Sequence, residues 1–158
     1  MDCYYISLYD LLKTRPASQH ALIEERYLFL LSHLSVVQDL KPWAFLRNVE
    51  AISKMGVILL CMIKTEDESD IQIAGTATAV IEPKLIRGGR PVCHIEDVVV
   101  APEWRGKQVA STLLHLLSNF AKHHDCYKVM LDCQENLAPF YKKQGLASNG
   151  DQHMVVYL

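Results

Sequence analysis

The fold is decided by the stretch Val98-Val-Val-Ala-Pro-Glu-Trp-Arg-Gly-Lys-Gln-Val-Ala110. A strand ends in three valines, Pro102 stops it, and a helical stripe of apolar residues begins at Val109. The free N–H groups and the macrodipole at a helix start attract anions, and Arg105 and Lys107 add positive charge beside them. The stretch therefore predicts a strand–turn–helix unit that cradles a diphosphate, with an ordinary solvated turn as the alternative.

The segments around this unit alternate between β-rich runs and helical stripes. Three short β-rich runs, the last of which ends in the three valines, are joined by polar turns, which predicts three adjacent antiparallel strands. A strand, a helix and a strand near the C-terminus predict a crossover and a parallel pair. The predicted order is β-α-α-β-β-β-α-β-α-β, an α/β fold with a mixed central sheet. The predicted strands are residues 4–8, 57–63, 71–81, 92–100, 127–131 and 153–158, and the predicted helices are 18–33, a helix that starts at Pro42 and is ended by Gly56, 109–121 and 136–144.

Length and composition limit the class of protein. The 158 residues, 50% of them hydrophobic, predict a single globular domain over residues 1–158. The net charge of −2 gives no sign of a nucleic-acid partner. The five cysteines are odd in number and include no CxxC pair, so free thiols in a reducing compartment are expected. Neither a signal peptide nor a membrane-spanning run is visible, and the expected location is the cytoplasm.

A second candidate site combines Asp132, just past a buried strand, with Tyr141, which follows on a short helix. Ligands of open α/β sheets bind beyond the strand ends. A carboxylate and a phenol in one cleft are suited to take a proton from an amine and to give one to a leaving group. The alternative is structural, with Asp132 capping the next helix and Tyr141 lying in the core with its hydroxyl hydrogen-bonded.

Polar residues interrupt the last of the three β-rich runs at His94-Ile-Glu-Asp97. Strand alternation predicts His94 and Glu96 on one face of the sheet and Ile95 and Asp97 on the other. Polar groups in a buried strand are costly unless they are paired or used. We therefore interpret these polar residues as part of a functional site, with an edge strand that has a solvated face as the alternative.

Three other patterns indicate less. The run His123-His-Asp-Cys126 lacks the ligand spacing of structural zinc, and histidines are favoured at a helix C-terminus by the dipole, so no metal is expected. Cys133 has no histidine tied to it by sequence and is interpreted as a packing residue. The run Arg87-Gly-Gly-Arg90 lacks the Walker pattern and is compatible with a hairpin turn, an anion-binding loop or both.

Taken in this order, the segments resemble the GNAT acetyltransferase superfamily and, within it, the glucosamine-6-phosphate N-acetyltransferase family. The resemblance spans roughly residues 80–146. It is carried by Lys84-Leu-Ile-Arg-Gly-Gly-Arg90, His94-Ile-Glu-Asp-Val-Val-Val100, Trp104-Arg-Gly106, Cys126-Tyr-Lys-Val-Met-Leu-Asp-Cys133 and Phe140-Tyr-Lys-Lys143 with Gly145.

The resemblance implies transfer of the acetyl group of acetyl-CoA to the amine of D-glucosamine 6-phosphate. The products are N-acetyl-D-glucosamine 6-phosphate and CoA, on the way to UDP-N-acetylglucosamine. The sugar amine attacks the thioester directly, without an acyl-enzyme. The resemblance also implies an intertwined homodimer, in which the final strand of one chain helps to complete the site of its partner.

The resemblance further implies which residues act. Asp132 orients the amine and helps it to lose its proton, Tyr141 protonates the departing thiolate, and Glu96 lies beside them in the sugar site. The implied acetyl-CoA contacts are Val98, Val99, Val100, Arg105, Gly106, Lys107, Gln108, Val109, Ala110, Asn136, Tyr141 and Lys143. The implied sugar-phosphate contacts are Ser35, Lys84, Leu85, Ile86, Arg87, Glu96, Asp97, Val98 and Asp132, with Lys84 and Arg87 on the 6-phosphate.

Three positions depart from the family pattern. Gln108 stands where the pyrophosphate turn has a glycine, Leu137 stands where an asparagine is common, and Tyr157 lies near the position of a phosphate-binding arginine. Phosphate recognition is therefore expected to rest on one or more of the basic residues Lys84, Arg87 and Arg90.

Two alternatives remain open. One is an enzyme of the same fold that acetylates another amine, such as a peptide, a lysine or a polyamine. Lys84 and Arg87 together with Glu96 and Asp97 argue against it, because this set suits a phosphorylated amino sugar. The other is a non-catalytic CoA-binding or interaction module, and Gln108 is the feature that favours it.

Overall fold

One β-sheet runs through the protein in the computed structural model, which describes residues 2–67, 69–151 and 153–157. Helices pack on both of its faces. The strands are β1 (Cys3–Ser7), β2 (Gly56–Ile63), β3 (Ile73–Glu82), β4 (Val92–Val100) and β5 (Lys128–Met130), and the helices are α1 (Leu8–Thr14), α2 (His20–Leu31), α3 (Ala44–Ser53), α4 (Val109–His123) and α5 (Ala138–Lys143). Within the described part of the chain, no helix is long and apolar enough to cross a membrane.

The sheet is mixed, as predicted. Its strand order is β1-β2-β3-β4-β5, with antiparallel pairing from β1 to β4 and a parallel pair between β4 and β5. The antiparallel group of β2, β3 and β4 confirms the three-strand prediction. The parallel pair requires a crossover, which α4 supplies between β4 and β5.

The two faces of the sheet bury two separate cores. On one face, α4 buries the apolar side chains Val109, Leu113, Leu114, Leu117 and Ala121 against β3 and β4. These positions follow the helical period, and the predicted stripe of α4 is confirmed. On the other face, α1, α2 and α3 cover β2 and β3 around Leu60 and Met62.

A bulge divides β4. Thr78 of β3 lies opposite Glu96, but Thr76 lies opposite Val99, so Asp97 and Val98 together face one residue of β3. Asp97 has a φ of 52°, a left-handed conformation that aspartate tolerates better than most residues. The prediction that regular alternation places Asp97 on the face of Ile95 is therefore wrong, because the bulge interrupts the alternation at this residue.

The N-terminal elements differ from the prediction in two places. Helix α1 is absent from the predicted order, although Ser7 caps it by accepting a hydrogen bond from the N–H of Asp10 at 2.9 Å. Gly56 does not end α3, which stops at Ser53, but begins β2. A β-carbon on Gly56 would lie 1.9 Å from the carbonyl oxygen of Ala79, so close backbone approach requires the glycine.

The predicted last strand does not form within this chain. Residues 153–157 are not part of any strand, and Gln152 and Leu158 lie outside the described residues. The apolar side chains of Met154 and Tyr157 are 85% and 90% exposed. The prediction failed because the segment has strand-forming residues but finds no partner strand in its own chain.

Candidate active site

The central feature of the site is a cleft where β4 and β5 part. Their pairing covers Val92–His94 and Lys128–Met130, whereas β4 continues as far as Val100. The N–H of Ala101 bonds to Ala74 of β3. Because the carbonyl and N–H of a trans peptide point in opposite directions, the Val100 oxygen faces away from β3 into the cleft. There it accepts a hydrogen bond from Nε of Arg105 at 3.2 Å.

The turn from β4 to α4 forms one end of the cleft. Helix α4 has no side-chain cap at its N-terminus and no acidic residue in its first turn. The ammonium group of Lys107 lies 4.3 Å from the centre of the Trp104 ring, beside this turn. Gly75 of β3 allows α4 to start here, because a β-carbon would lie 2.9 Å from Val109. Exposed N–H groups and positive charge together fit a diphosphate.

Gln108 adopts a left-handed conformation at the N-cap of α4, with a φ of 64° and a ψ of 11°. A glycine populates this region without the steric cost that a β-carbon adds. Gln108 therefore carries backbone strain that a glycine at this position would not. Thr112 also donates to the Gln108 carbonyl oxygen at 3.1 Å.

Acidic groups gather beside the cleft. Desolvation raises the pKa of Glu96, and the nearby Asp97 and Asp132 carboxylates raise it further, whereas His94 and His153 oppose the rise. Desolvation also raises the pKa of Asp97. The structure thus brings together the three predicted carboxylates of β4 and the segment after β5. A concentration of negative charge of this kind suits a cationic ammonium group.

Asp132 has a partner that sequence reasoning missed. Its Oδ2 lies 3.0 Å from Nδ1 of His153, a residue of the C-terminal segment. The structural alternative, in which Asp132 caps the next helix, is wrong, because the short 3₁₀ turn that follows has no side-chain cap. No local pattern links positions so far apart, and only the folding of the tail across the end of β5 brings them together.

Tyr141 joins the cleft region to the core. Its ring is buried under α4 in the same core as Ile95 and Leu113. Burial raises the pKa of Tyr141, and the Cys133 thiol adds to the rise, so the phenol is protonated at neutral pH. Its hydroxyl makes no hydrogen bond to any described residue. A protonated phenol without an internal partner is available as a proton donor.

The basic residues of the loop between β3 and β4 differ in whether a carboxylate already engages their charge. Lys84 is held by Glu82 at 2.5 Å, and the other oxygen of Glu82 lies 2.7 Å from Nε2 of His94. Lys84 and His94 lower the pKa of Glu82.

The two arginines of this loop also differ in their partners. Arg90 forms an ion pair with Asp125 at 3.1 Å. Arg87 lies 5.8 Å from the centre of the Tyr127 ring, and no carboxylate of a described residue is within ion-pair distance. Of the basic residues considered for phosphate, Arg87 is therefore the one whose charge is not already engaged by a carboxylate.

The remaining predicted residues lie on the surface. Ser35 follows α2, where its N–H bonds to the Leu31 carbonyl oxygen, and no contact among the described residues joins it to the cleft. Leu85 and Ile86 expose their side chains at the loop tip, so only their main chain is suited to a phosphate. Asn136 and Lys143 are exposed on the segment that carries Tyr141.

Two concave regions of the structure lie away from this cleft. A groove of about 560 Å³ runs between α2 and the segment that follows it, and is lined by Leu28, Phe29, Val37 and Leu40. A smaller cavity of about 190 Å³ lies beside α3 and β2. Neither contains a predicted site residue.

The fold and cleft define an acyl-CoA-dependent acetyltransferase, and comparison with known proteins agrees. The profile of the Acetyltransferase (GNAT) family matches residues 21–146. The chain therefore belongs to the GNAT acetyltransferase family.

Particular members of that family resemble the chain closely. It is 35% identical over 128 residues to the glucosamine 6-phosphate N-acetyltransferase of Trypanosoma brucei brucei, covering 80% of this chain and 84% of the relative. It is also 35% identical to the enzyme of that name from Arabidopsis thaliana over 127 residues, with the same coverage of each chain. The crystal structure of glucosamine-6-phosphate N-acetyltransferase from Arabidopsis thaliana superimposes with a TM-score of 0.80 at 30% identity over 99% of both chains.

Proposed function

We propose that this protein transfers the acetyl group of acetyl-CoA to the amine of D-glucosamine 6-phosphate, giving N-acetyl-D-glucosamine 6-phosphate and CoA. This is a step toward UDP-N-acetylglucosamine. The observation that carries the proposal is the gathering of Glu96, Asp97 and Asp132 at the point where β4 leaves β5. An amine nucleophile is attracted and oriented by carboxylates there, beside the strand edge that receives the thioester. The names of the relatives agree with this substrate.

The residues present fit acetyl-CoA. The open edge of β4 at Val98–Val100 offers main-chain groups to an extended amide-containing arm, as an added strand would use them. Arg105, which contacts the Val100 carbonyl, moves aside when that carbonyl is used. The turn from Arg105 to Ala110 holds the diphosphate, and Asn136, Tyr141 and Lys143 close the other side.

The proposed chemistry is a direct attack. The amine, which Asp132 orients and helps to deprotonate, forms a bond to the thioester carbonyl carbon and loses its surplus protons to solvent. The carbon–sulfur bond breaks, and Tyr141 gives its proton to the departing thiolate and regains one from solvent. Main-chain N–H groups of β4 stabilise the developing oxyanion, which is commonly the largest catalytic contribution. Holding amine and thioester together supplies much of the remaining acceleration.

Phosphate recognition rests on the loop between β3 and β4. Arg87 is the principal contact in this proposal, because Lys84 is shared with Glu82 and Arg90 with Asp125. The main chain of Leu85 and Ile86 assists. The predicted contact of Ser35 is left out of the proposal, because Ser35 lies on the surface after α2 and no described contact joins it to the cleft.

The proposal includes a homodimer in the cytoplasm. The exposed apolar side chains of Met154 and Tyr157, and of the two valines between them, are suited to pair with a second copy. All five cysteines are free, as in a reducing compartment. Sedimentation of the full chain tests the dimer, which Val156→Asp is expected to weaken. A monomer at micromolar concentration contradicts it.

The decisive experiment measures thiol release from acetyl-CoA across a panel of amines. The panel holds glucosamine 6-phosphate, glucosamine, a peptide with a free N-terminus, lysine and spermidine. We expect efficient turnover with glucosamine 6-phosphate and a much lower kcat/KM for glucosamine. Preference for another amine identifies an enzyme of the same family with a different substrate. Binding of CoA without turnover on any amine identifies a non-catalytic module, and either result contradicts the proposal.

A further inference from the structure

The contact between Asp132 and His153 adds a group to the site that the proposed reaction has not yet used. We propose that His153 is the general base that removes a proton from the substrate ammonium, and that Asp132 orients it. This inference rests on the proposed acetyl transfer and assigns a role to a residue of the C-terminal segment. It also gives Asp132 a different task from the one expected of it, since the carboxylate now acts through the imidazole.

The geometry determines which nitrogen is the base. Oδ2 of Asp132 lies 3.0 Å from Nδ1 of His153. An ionised carboxylate only accepts hydrogen bonds, so Nδ1 carries the hydrogen and Nε2 of a neutral ring has a free lone pair. A carboxylate that fixes the tautomer of a histidine in this manner is the arrangement used by Ser-His-Asp enzymes.

The surroundings of His153 favour such a role. The charged groups that face it are Asp132, from the segment after β5, and Glu96, from β4. Both attract the imidazolium that forms when His153 takes a proton. The two side chains of the pair are 61% and 66% exposed, so the ring can pass the proton to water afterwards.

The arrangement also determines which member of the pair accepts the proton. The Asp132 carboxylate already accepts the Nδ1 hydrogen, whereas Nε2 of the neutral ring keeps a free lone pair. Histidine is the side chain most often used for proton transfer in catalysis. The imidazole is therefore the proton acceptor, and the carboxylate orients it.

The step balances. The ammonium nitrogen gives a proton to Nε2 of His153, and the resulting amine forms a bond to the thioester carbonyl carbon. The carbon–sulfur bond then breaks, and the thiolate takes the proton of Tyr141. A second amine proton is lost as the amide forms and restores the phenol through solvent, while His153 releases its proton to water.

The test compares His153→Gln with a matched control, His115→Gln, on the exposed face of α4. At pH 7 we expect His153→Gln to lower kcat by about 10²-fold, the usual minimum for a general base. The KM for glucosamine 6-phosphate should change by less than about threefold. The acidic limb of the pH dependence of kcat should flatten in His153→Gln and persist in His115→Gln. Added imidazole should restore part of the activity of His153→Ala.

Two results overturn the inference. One is a kcat of His153→Gln within about threefold of the parent at pH 7. The other is a loss of activity with an unchanged pH profile and no rescue of His153→Ala by imidazole, which indicates a structural role. Failure of the proposed function is distinguishable, because it appears in the parent protein as a lack of turnover with glucosamine 6-phosphate. If another amine is acetylated, the same variants test His153 with that amine.

Discussion

The two halves of β4 differ in what borders them. The first half, Val92–His94 (the closed half), has β3 on one side and β5 on the other, and the buried side chain of Cys93 belongs to the core under α4. In the second half, Val98–Val100 (the open half), Val98 belongs to the bulge and Val99 and Val100 pair with β3, while β5 has already ended. Charged groups and an open strand edge occur where β4 no longer has β5 beside it. The comparison shows that one strand belongs to the core over its first half and has an open edge over its second, which is the part that the proposed function uses for binding.

The largest expected effect is a loss of stability at Ile95, which directly follows the closed half. Ile95 is 2% exposed in the core under α4, so Ile95→Ala leaves a cavity and should lower the free energy of unfolding by about 3 kcal/mol. The matched change in the open half, Val98→Ala, affects a partly exposed side chain and should cost about 1 kcal/mol. Urea unfolding measures both. Equal losses would show that the two halves are packed alike.

The mixed sheet, the α4 stripe and the parallel pair were predictable because each follows from the local periodicity of apolar residues. The bulge at Asp97 was not, because it depends on the register between two strands and leaves no mark in the apolar pattern. Helix α1 does carry a local signal in the sequence, since Ser7 is followed three residues later by Asp10 in the pattern of a capping box.

The candidate site divides in the same way. Glu96 lies on β4 and Tyr141 on α5, which are the elements that the local sequence pattern predicted for them. Partners that meet through loops and tails were not predictable, among them Glu82 with Lys84 and His153 with Asp132. The prediction of a final strand at residues 153–158 was wrong for a third reason. A strand is stable only beside a neighbouring strand, and the apolar pattern of a segment does not indicate whether its own chain provides one.

The next prediction concerns Tyr141, where a substitution should change kcat without changing the free energy of unfolding. Tyr141→Phe removes the proposed proton donor and should lower kcat by about 10²-fold. Because the hydroxyl makes no hydrogen bond to a described residue, the free energy of unfolding should change by less than about 0.5 kcal/mol. Tyr4→Phe, on β1 at the far edge of the sheet, is the control for kcat. A Tyr141→Phe protein with unchanged turnover rejects the acid role.

A smaller effect is expected at the loop that leads into the closed half. Arg87→Ala should raise the KM for glucosamine 6-phosphate about tenfold, equivalent to about 1.4 kcal/mol, and leave CoA binding unchanged. Arg90→Ala removes an equal charge three residues away, but one that Asp125 already holds, so its KM should stay near that of the parent. Steady-state kinetics with each substrate varied decide the matter. An equal rise in the KM in both variants would contradict the assignment of the phosphate contact to Arg87.

The smallest effect concerns the turn that ends the open half. Gln108 holds a φ of 64°, a conformation that costs a residue with a β-carbon about 1–2 kcal/mol. Glycine removes that cost but loses more entropy on folding, so Gln108→Gly should stabilise the protein by about 0.5–1 kcal/mol. The midpoint of thermal unfolding should then rise by about 1–3 °C.

The Kd for CoA distinguishes the effect of the turn's backbone conformation from that of a direct contact by the Gln108 side chain. In Gln108→Gly the N–H groups at the start of α4 keep their positions, so the Kd for CoA should hold or fall. Lys107→Gly is the stability control, because Lys107 is not in the left-handed region and glycine there should only destabilise. A large rise in the Kd for CoA in Gln108→Gly would mean that the glutamine side chain itself binds the coenzyme. Affinity for CoA at the open half would then come from side chains as well as from free main-chain groups.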